Sequence, residues 1–282
     1  MESAAAAAAD VGKSITAAGI VTNYHDAGSG EPLLLLHGSG PGVTAWANWQ
    51  GVVPQLAERF RVLAPDIVGF GYTERPAEAA YDIKLWSRHL IGFLDALSLA
   101  QVAVVGNSFG GGLALAAALR HPERFGSLVL MGTPAGTFQQ TAGLRAAWEY
   151  EPSLENMERM LKLFPHDESL VTKEMVSARY RTSLLHGGQA AFRKLVPQPA
   201  PSGEITWVKG VPEPALRTIR QPTLVLHGRE DAVVPPECAL LLHRCIADSE
   251  LHMFGGCGHW VQIERRDAFV RQIRAFLARV SR

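Results

Sequence analysis

At 282 residues, with 47% hydrophobic and 19% charged content, the chain can bury a full core, either as one domain with an insertion or as two domains. Its formal net charge is zero and it carries no long basic run, which argues against a nucleic-acid or membrane surface and leaves any anionic ligand to locally placed cations. Three cysteines, Cys238, Cys245 and Cys257, make no even disulfide framework, so the expected compartment is the reducing cytoplasm.

The run Ala4 to Ala9 lies between Glu2 and Asp10 and lacks a basic region, so it reads as neither signal peptide nor membrane span, and residues 1–12 read as a frayed tail. Ile20 to His25 and Leu33 to His37 read as strands on either side of a polar, glycine-containing turn from Asp26 to Glu31. His37-Gly38-Ser39-Gly40-Pro41-Gly42 follows. Neither a Walker lysine nor a complete GxGxxG accompanies it, so a phosphate cradle is disfavoured, and its small residues leave backbone N–H groups free to face a developing oxyanion. His37 itself reads as a hydrogen-bonded structural residue. Val62 to Pro65 is a further short strand, and Tyr81 to Leu97 carries a helical apolar pattern.

From Val102 to Ala114 a β-branched run stops at Gly106 and a small-residue run begins after Ser108. This is a buried strand, a sharp turn and a helix, and Gly106-Asn107-Ser108-Phe109-Gly110 fits the GxSxG elbow that holds a serine strained and exposed above a sheet. Ser127 to Met131 is the next buried strand. Strands alternating with helices predict an α/β fold with a mostly parallel sheet covered on both faces. From about residue 135 to 212 no comparable aliphatic strand occurs, which predicts an inserted helical cap on a core of residues 13–134 and 213–282. Ser153 with Glu155, and Thr172 with Glu174, are helix starts within it. Arg179 lies near the face formed by Val171, Met175 and Ala178, so its guanidinium must find an acceptor or reach solvent.

Thr223 to His227 and Leu251 to Phe254 resume the sheet, and Phe269, Ile273, Phe276, Leu277 and Val280 mark an amphipathic C-terminal helix. The loops after the two late strands hold Asp231 and His259. A serine hydroxyl needs a base and an orienting carboxylate, and the order Ser108, Asp231, His259 is that of an α/β-hydrolase triad. Glu230 is the competing acid. The histidines at 25, 89, 121, 166, 186, 227, 243 and 252 lack a glycine-rich late-loop context and read as structural or surface, with His166 in the cap the one to watch. Cys257, His259, His243 and Cys245 form no CxxC pair or HExxH, so no metal site is expected.

His37-Gly38-Ser39-Gly40-Pro41-Gly42 with Trp46-Ala47-Asn48-Trp49, Gly106-Asn107-Ser108-Phe109-Gly110-Gly111, His227-Gly228-Arg229-Glu230-Asp231 and Cys257-Gly258-His259-Trp260 together resemble the α/β-hydrolase superfamily. More narrowly they resemble the meta-cleavage product hydrolases, serine enzymes that break C–C bonds in ring-fission products of aromatic degradation. The nearest likeness is to 2-hydroxymuconic semialdehyde hydrolases and relatives acting on monoalkylated catechol products. The resemblance implies Ser108, Asp231 and His259 as catalytic residues and the backbone N–H groups of Ser39 and Phe109 as the oxyanion hole. It implies a substrate pocket of Gly40, Asn48, Asn107, Phe164, Arg179 and Trp260, in which Arg179 meets a dienoate carboxylate and Phe164 lies toward the C6 substituent. It also implies a small-molecule dienoate substrate, no cofactor, and a homo-oligomer. A general carboxylesterase and a non-catalytic binding protein of the same fold are the alternatives.

Overall fold

Continuous aliphatic runs make the centre of the sheet. In the computed structural model, which describes residues 10–185, 187–196 and 205–280, ten strands form: β1 (Lys13–Ala17), β2 (Ile20–Ala27), β3 (Glu31–Leu36), β4 (Phe60–Pro65), β5 (Val102–Asn107), β6 (Phe125–Met131), β7 (Thr137–Gln139), β8 (Trp207–Lys209), β9 (Thr223–Gly228) and β10 (Ser249–Phe254). Eight of them build one sheet in the order β1-β2-β4-β3-β5-β6-β9-β10. Every neighbouring pair is parallel except those of β2, which runs antiparallel to both β1 and β4. The Ala4 to Ala9 run and His186 lie outside the described residues.

Side-chain alternation assigns the strands to two cores. Leu34, Leu36, Val104, Leu128 and Leu130 face one side with Phe93 and Leu113, while Leu33, Leu35, Val105, Val129 and Leu224 face the other with Trp49, Phe269 and Ile273. Each such buried side chain contributes roughly 1.5–3 kcal/mol, so helices are required on both faces. Among the described residues no helix is long and apolar enough to cross a membrane.

Between β6 and β9 the chain leaves the sheet through β7 and returns through β8, which pair antiparallel as a separate two-stranded ribbon. The excursion contains the helices Ala142–Trp148, Leu154–Leu161, Lys173–Ser183 and Gly188–Leu195. Ser153 and Thr172 cap the second and third, their side chains accepting from the backbone N–H of Asn156 and Met175.

The N-terminal region departs from the sequence reading. Strand β1 was not legible because its mostly exposed Lys-Ser-Ile-Thr-Ala has no apolar run. Strand β2 also runs through Asp26 and Ala27 instead of turning there, because Asp26 is held on it by Lys13 and Arg61, 3.0 and 3.1 Å away. Asp10 and Gly12, assigned above to the tail, are tied down. The Gly12 N–H donates to Asn23 Oδ1 at 2.8 Å, and the Thr44 hydroxyl donates to Asp10 Oδ1 at 3.1 Å.

The parallel core strands end at one edge of the sheet, and the loops after β3, β5, β6, β9 and β10 gather there. His37, at the end of β3, is fully buried; its Nδ1 lies 2.7 Å from the Gly38 carbonyl, and its Nε2 accepts from the Ile67 N–H at 2.9 Å. Those partners require the neutral form with the proton on Nδ1, and burial lowers the pKa to about 4. The turn after β5 is closed by contact: a Cβ on Gly110 would lie 2.3 Å from the Leu36 carbonyl oxygen, whereas one on Gly112 would meet nothing within 4 Å.

Two outcomes are expected. Gly110→Ala lowers stability in urea unfolding by about 1–3 kcal/mol through overpacking, whereas Gly112→Ala is neutral or stabilising by up to about 1 kcal/mol. Because the pKa of His37 is depressed on folding, its contribution is fully present above the unfolded value near 6.5 and is lost as pH falls toward 4, a loss of about 3 kcal/mol. Urea unfolding at pH 7 and pH 4.5 therefore shows a shallower loss in His37→Gln than in the parent chain, and equal losses would refute this assignment.

Candidate active site

Ser108 sits between the end of β5 and the helix Phe109–Arg120, with φ 53° and ψ −116°. A non-glycine residue in that region is strained by about 1–3 kcal/mol. The neighbours hold it there: its N–H donates to the Met131 carbonyl at 2.8 Å, and its own carbonyl accepts from the N–H groups of Gly111 and Gly112. Phe109 opens the helix, so its N–H has no intrahelical acceptor. Among the described residues neither that N–H nor the one on Ser39 donates to another group.

Asp231 and His259 meet across two loops. His259 Nδ1 lies 2.7 Å from Asp231 Oδ2, while Asp231 Oδ1 accepts from the N–H groups of Val233 and Val234 at 2.8 and 2.9 Å. Burial alone would raise the Asp231 pKa, but the charge of His259 and hydrogen bonds from His227 and His259 carry it well below the usual carboxylate range. The competing acid is engaged elsewhere: Glu230 accepts from the Cys257 N–H at 3.0 Å and from the Arg229 guanidinium at 2.7 Å.

The serine and the imidazole converge on the end of β6. Ser108 is bonded to Met131, and the next residue, Gly132, packs so closely that a Cβ there would lie 2.8 Å from His259 Cε1. Among the described residues no hydrogen bond joins Ser108 Oγ to His259, so this last link of the candidate triad is open. Such links are commonly long before substrate binds.

The helical excursion touches the same loop. The His259 N–H donates to the Phe164 carbonyl at 2.7 Å, and the Phe164 ring stands edge-on to the imidazole, with 5.7 Å between centroids, and 5.4 Å from the Trp260 ring. Glu264 accepts from the backbone N–H groups of both Gly258 and His166 at 2.8 Å. The His166 residue is itself exposed, so its part in the site is a backbone one.

A cavity of about 350 Å³ lies between this excursion and the core, lined by Asn48, Arg179 and Trp260 together with Asp10, Gly42 and Gln262. Gly40, Asn107, Ser108 and Phe164 do not line it. Gly40 nevertheless touches its cation, since a Cβ there would lie 3.2 Å from Arg179 Nη2. Gly42 has φ +68°, and a Cβ would lie 2.1 Å from the Arg179 carbonyl oxygen, so only glycine lets the helix Lys173–Ser183 approach. Arg179 Nε donates to the Pro41 carbonyl at 2.8 Å. Although part of Arg179 remains accessible, burial pulls its pKa down to about 10, which leaves it charged at neutral pH. Asn48 Oδ1 accepts weakly from the Gly38 N–H at 3.5 Å, while Asn48 Nδ2 and Gln262 Oε1 are buried without partners among the described residues. Asn107 is buried below the elbow, its amide 3.5 Å from the Met131 carbonyl.

Sequence reasoning missed Asp10, Gln262 and Glu264. Gln262 and Glu264 follow Trp260 at short spacing, but nothing in their types distinguishes them from solvated polar residues. Asp10 carried no signal, since the residues before it in the chain are alanines.

The alpha/beta hydrolase fold family matches residues 31–266. The 2-hydroxy-6-oxo-2,4-heptadienoate hydrolase of Pseudomonas putida is 49% identical over 272 residues, spanning 96% of this chain and 97% of that protein. The 2-hydroxymuconate semialdehyde hydrolase of a Pseudomonas species is 49% identical over 271 residues, spanning 95% of this chain and 94% of that protein. Among solved structures, a meta-cleavage product hydrolase from Pseudomonas fluorescens matches with a TM-score of 0.89 at 46% identity, covering 96% of this chain and 98% of that one. With the elbow, the late acid and histidine, and a likeness that runs nearly end to end, the chain belongs to the α/β hydrolase fold family and, within it, to the meta-cleavage product hydrolases.

Proposed function

We propose that the chain is a serine-dependent hydrolase that cleaves the C5–C6 bond of 2-hydroxy-6-oxohexa-2,4-dienoates, releasing 2-hydroxypenta-2,4-dienoate and a carboxylic acid. The observation that carries this reading is a partly buried cation, Arg179, in a cavity shared with Asn48 and with Trp260, the residue that follows His259. A neutral ester gives that cation no partner; a dienoate carboxylate does.

Direct cleavage would expel an unstabilised vinyl carbanion, so the dienol first becomes a keto form that can accept the electron pair. With the carboxylate and 2-oxygen held by Arg179, Asn48 and Trp260, the dienolate is favoured and a proton is delivered to C5. His259, oriented by Asp231, takes the Ser108 proton as Oγ attacks the C6 carbonyl. The N–H groups of Ser39 and Phe109 receive the oxyanion, and Gly40 leaves room for the guanidinium. The C5–C6 bond then breaks, its electron pair passing into the keto acid, which leaves as the dienol. Water activated by His259 releases the acid from Ser108.

Small C6 substituents, hydrogen or methyl, are favoured. The two Pseudomonas relatives at 49% identity are named for such substrates. A homo-oligomer is proposed on the family likeness alone, and three free, buried cysteines accord with the reducing cytoplasm.

Arg179→Ala lowers kcat/KM for the dienoate by about 10- to 100-fold while changing p-nitrophenyl acetate hydrolysis far less. Equal losses on both substrates would favour a general esterase. Ser108→Ala binds the yellow dienoate but does not bleach it in stopped-flow absorbance, and robust bleaching by that variant would remove Ser108 from the chemistry.

A further inference from the structure

His227 lies near the end of β9 and is wholly buried. Its Nε2 lies 2.9 Å from the Val234 carbonyl and 3.2 Å from Asp231 Oδ2. Both neighbours are acceptors, so the proton is on Nε2 and is shared between them. His227 Nδ1 is buried with no partner among the described residues, and a second proton there would create a buried donor without an acceptor. The ring is therefore a neutral, single-donor group aimed at the carboxylate.

The oxygen it reaches is Oδ2, the one that also receives His259 Nδ1, while Oδ1 takes the N–H groups of Val233 and Val234. Val234 thus holds the carboxylate from both sides, directly by its N–H and through His227 by its carbonyl. Rotation of the carboxylate would break both attachments. We propose that His227 is a positioning residue, which fixes Asp231 Oδ2 toward His259 and, as a fourth N–H donor, tempers the pull of Asp231 on the imidazole proton.

Around this pair the titratable groups are Asp231 and His259 themselves, the thiols of Cys238 and Cys257, and Glu230. Burial raises both thiols and keeps them protonated, while Glu230 is engaged with Arg229 and the Cys257 N–H. None of these can replace the donor that His227 supplies.

The inference rests on the triad reading above, so its test uses p-nitrophenyl acetate, which needs the triad but no dienoate pocket. Hydrolysis is followed from pH 5 to 9 for the parent chain, His227→Gln, His227→Asn, His227→Phe and His259→Ala. Glutamine places an amide N–H near the position of Nε2; asparagine is polar but too short, and phenylalanine fills the space without a donor. His227→Phe and His227→Asn lower kcat by about tenfold with KM changed less than about twofold, and the acid limb moves to higher pH. His227→Gln restores kcat to within about threefold and returns the limb to its place. Parent-like kcat and limb in His227→Asn would overturn the proposal, as would a loss in His227→Gln equal to that in His227→Asn; these two polar variants decide the matter even if His227→Phe does not fold. Turnover that survives His259→Ala would overturn the triad reading and this proposal together, whereas loss there with parent-like His227→Asn would overturn this proposal alone.

Discussion

A carboxylate enclosed in protein is costly unless its lone pairs are met, and the site is built around meeting those of Asp231. Two backbone N–H groups from its own loop and two ring N–H groups from His227 and His259 supply the donors. Only the bond to His259 spans loops from two different strands. The parallel pairing of β9 with β10, register Thr223 to Ser249 through Gly228 to Phe254, brings those loops to the same level.

The same edge gathers the remaining parts by close backbone approach. Ser108 is bonded to Met131, Gly110 abuts the carbonyl of Leu36, and Gly132 leaves no room between the end of β6 and the imidazole. The helical excursion closes over this edge through backbone contacts, Phe164 to His259 and His166 through Glu264 to Gly258. A shift in that excursion would therefore be felt at His259 as well as in the cavity. Arg179 completes the arrangement: a partly buried cation whose Nε donates to the Pro41 carbonyl, with Asp10 lining the same cavity.

The strong apolar elements were legible, because Leu33 to Leu36, Val102 to Val105 and Ser127 to Met131 are short, mostly β-branched or aliphatic runs that suit a doubly covered parallel strand. The helix starts at Ser153 and Thr172 were legible from capping chemistry. Strand β1 was not, because an exposed edge strand is held by pairing with β2 instead of by its own apolar content. His227 reads in the sequence as structural or surface because its meaning depends on a carboxylate four residues away whose side chain turns back toward it. Gln262 and Asp10 were hidden for a related reason: a polar side chain gains its significance from the cavity it lines.

By itself the sequence determined the α/β fold, the strained serine turn, and the residue types and order from which a nucleophile, an acid and a base could be drawn. These are local matters of periodicity, glycine sterics and side-chain chemistry. Only the tertiary structure decided between Asp231 and Glu230 as the acid bonded to His259, set Arg179 in its cavity, and tied residues 10 and 12 to the core. Those outcomes depend on which groups from distant segments share one buried volume, and the cost of leaving charges and hydrogen-bonding groups unpaired there selects among arrangements that local chemistry leaves equal.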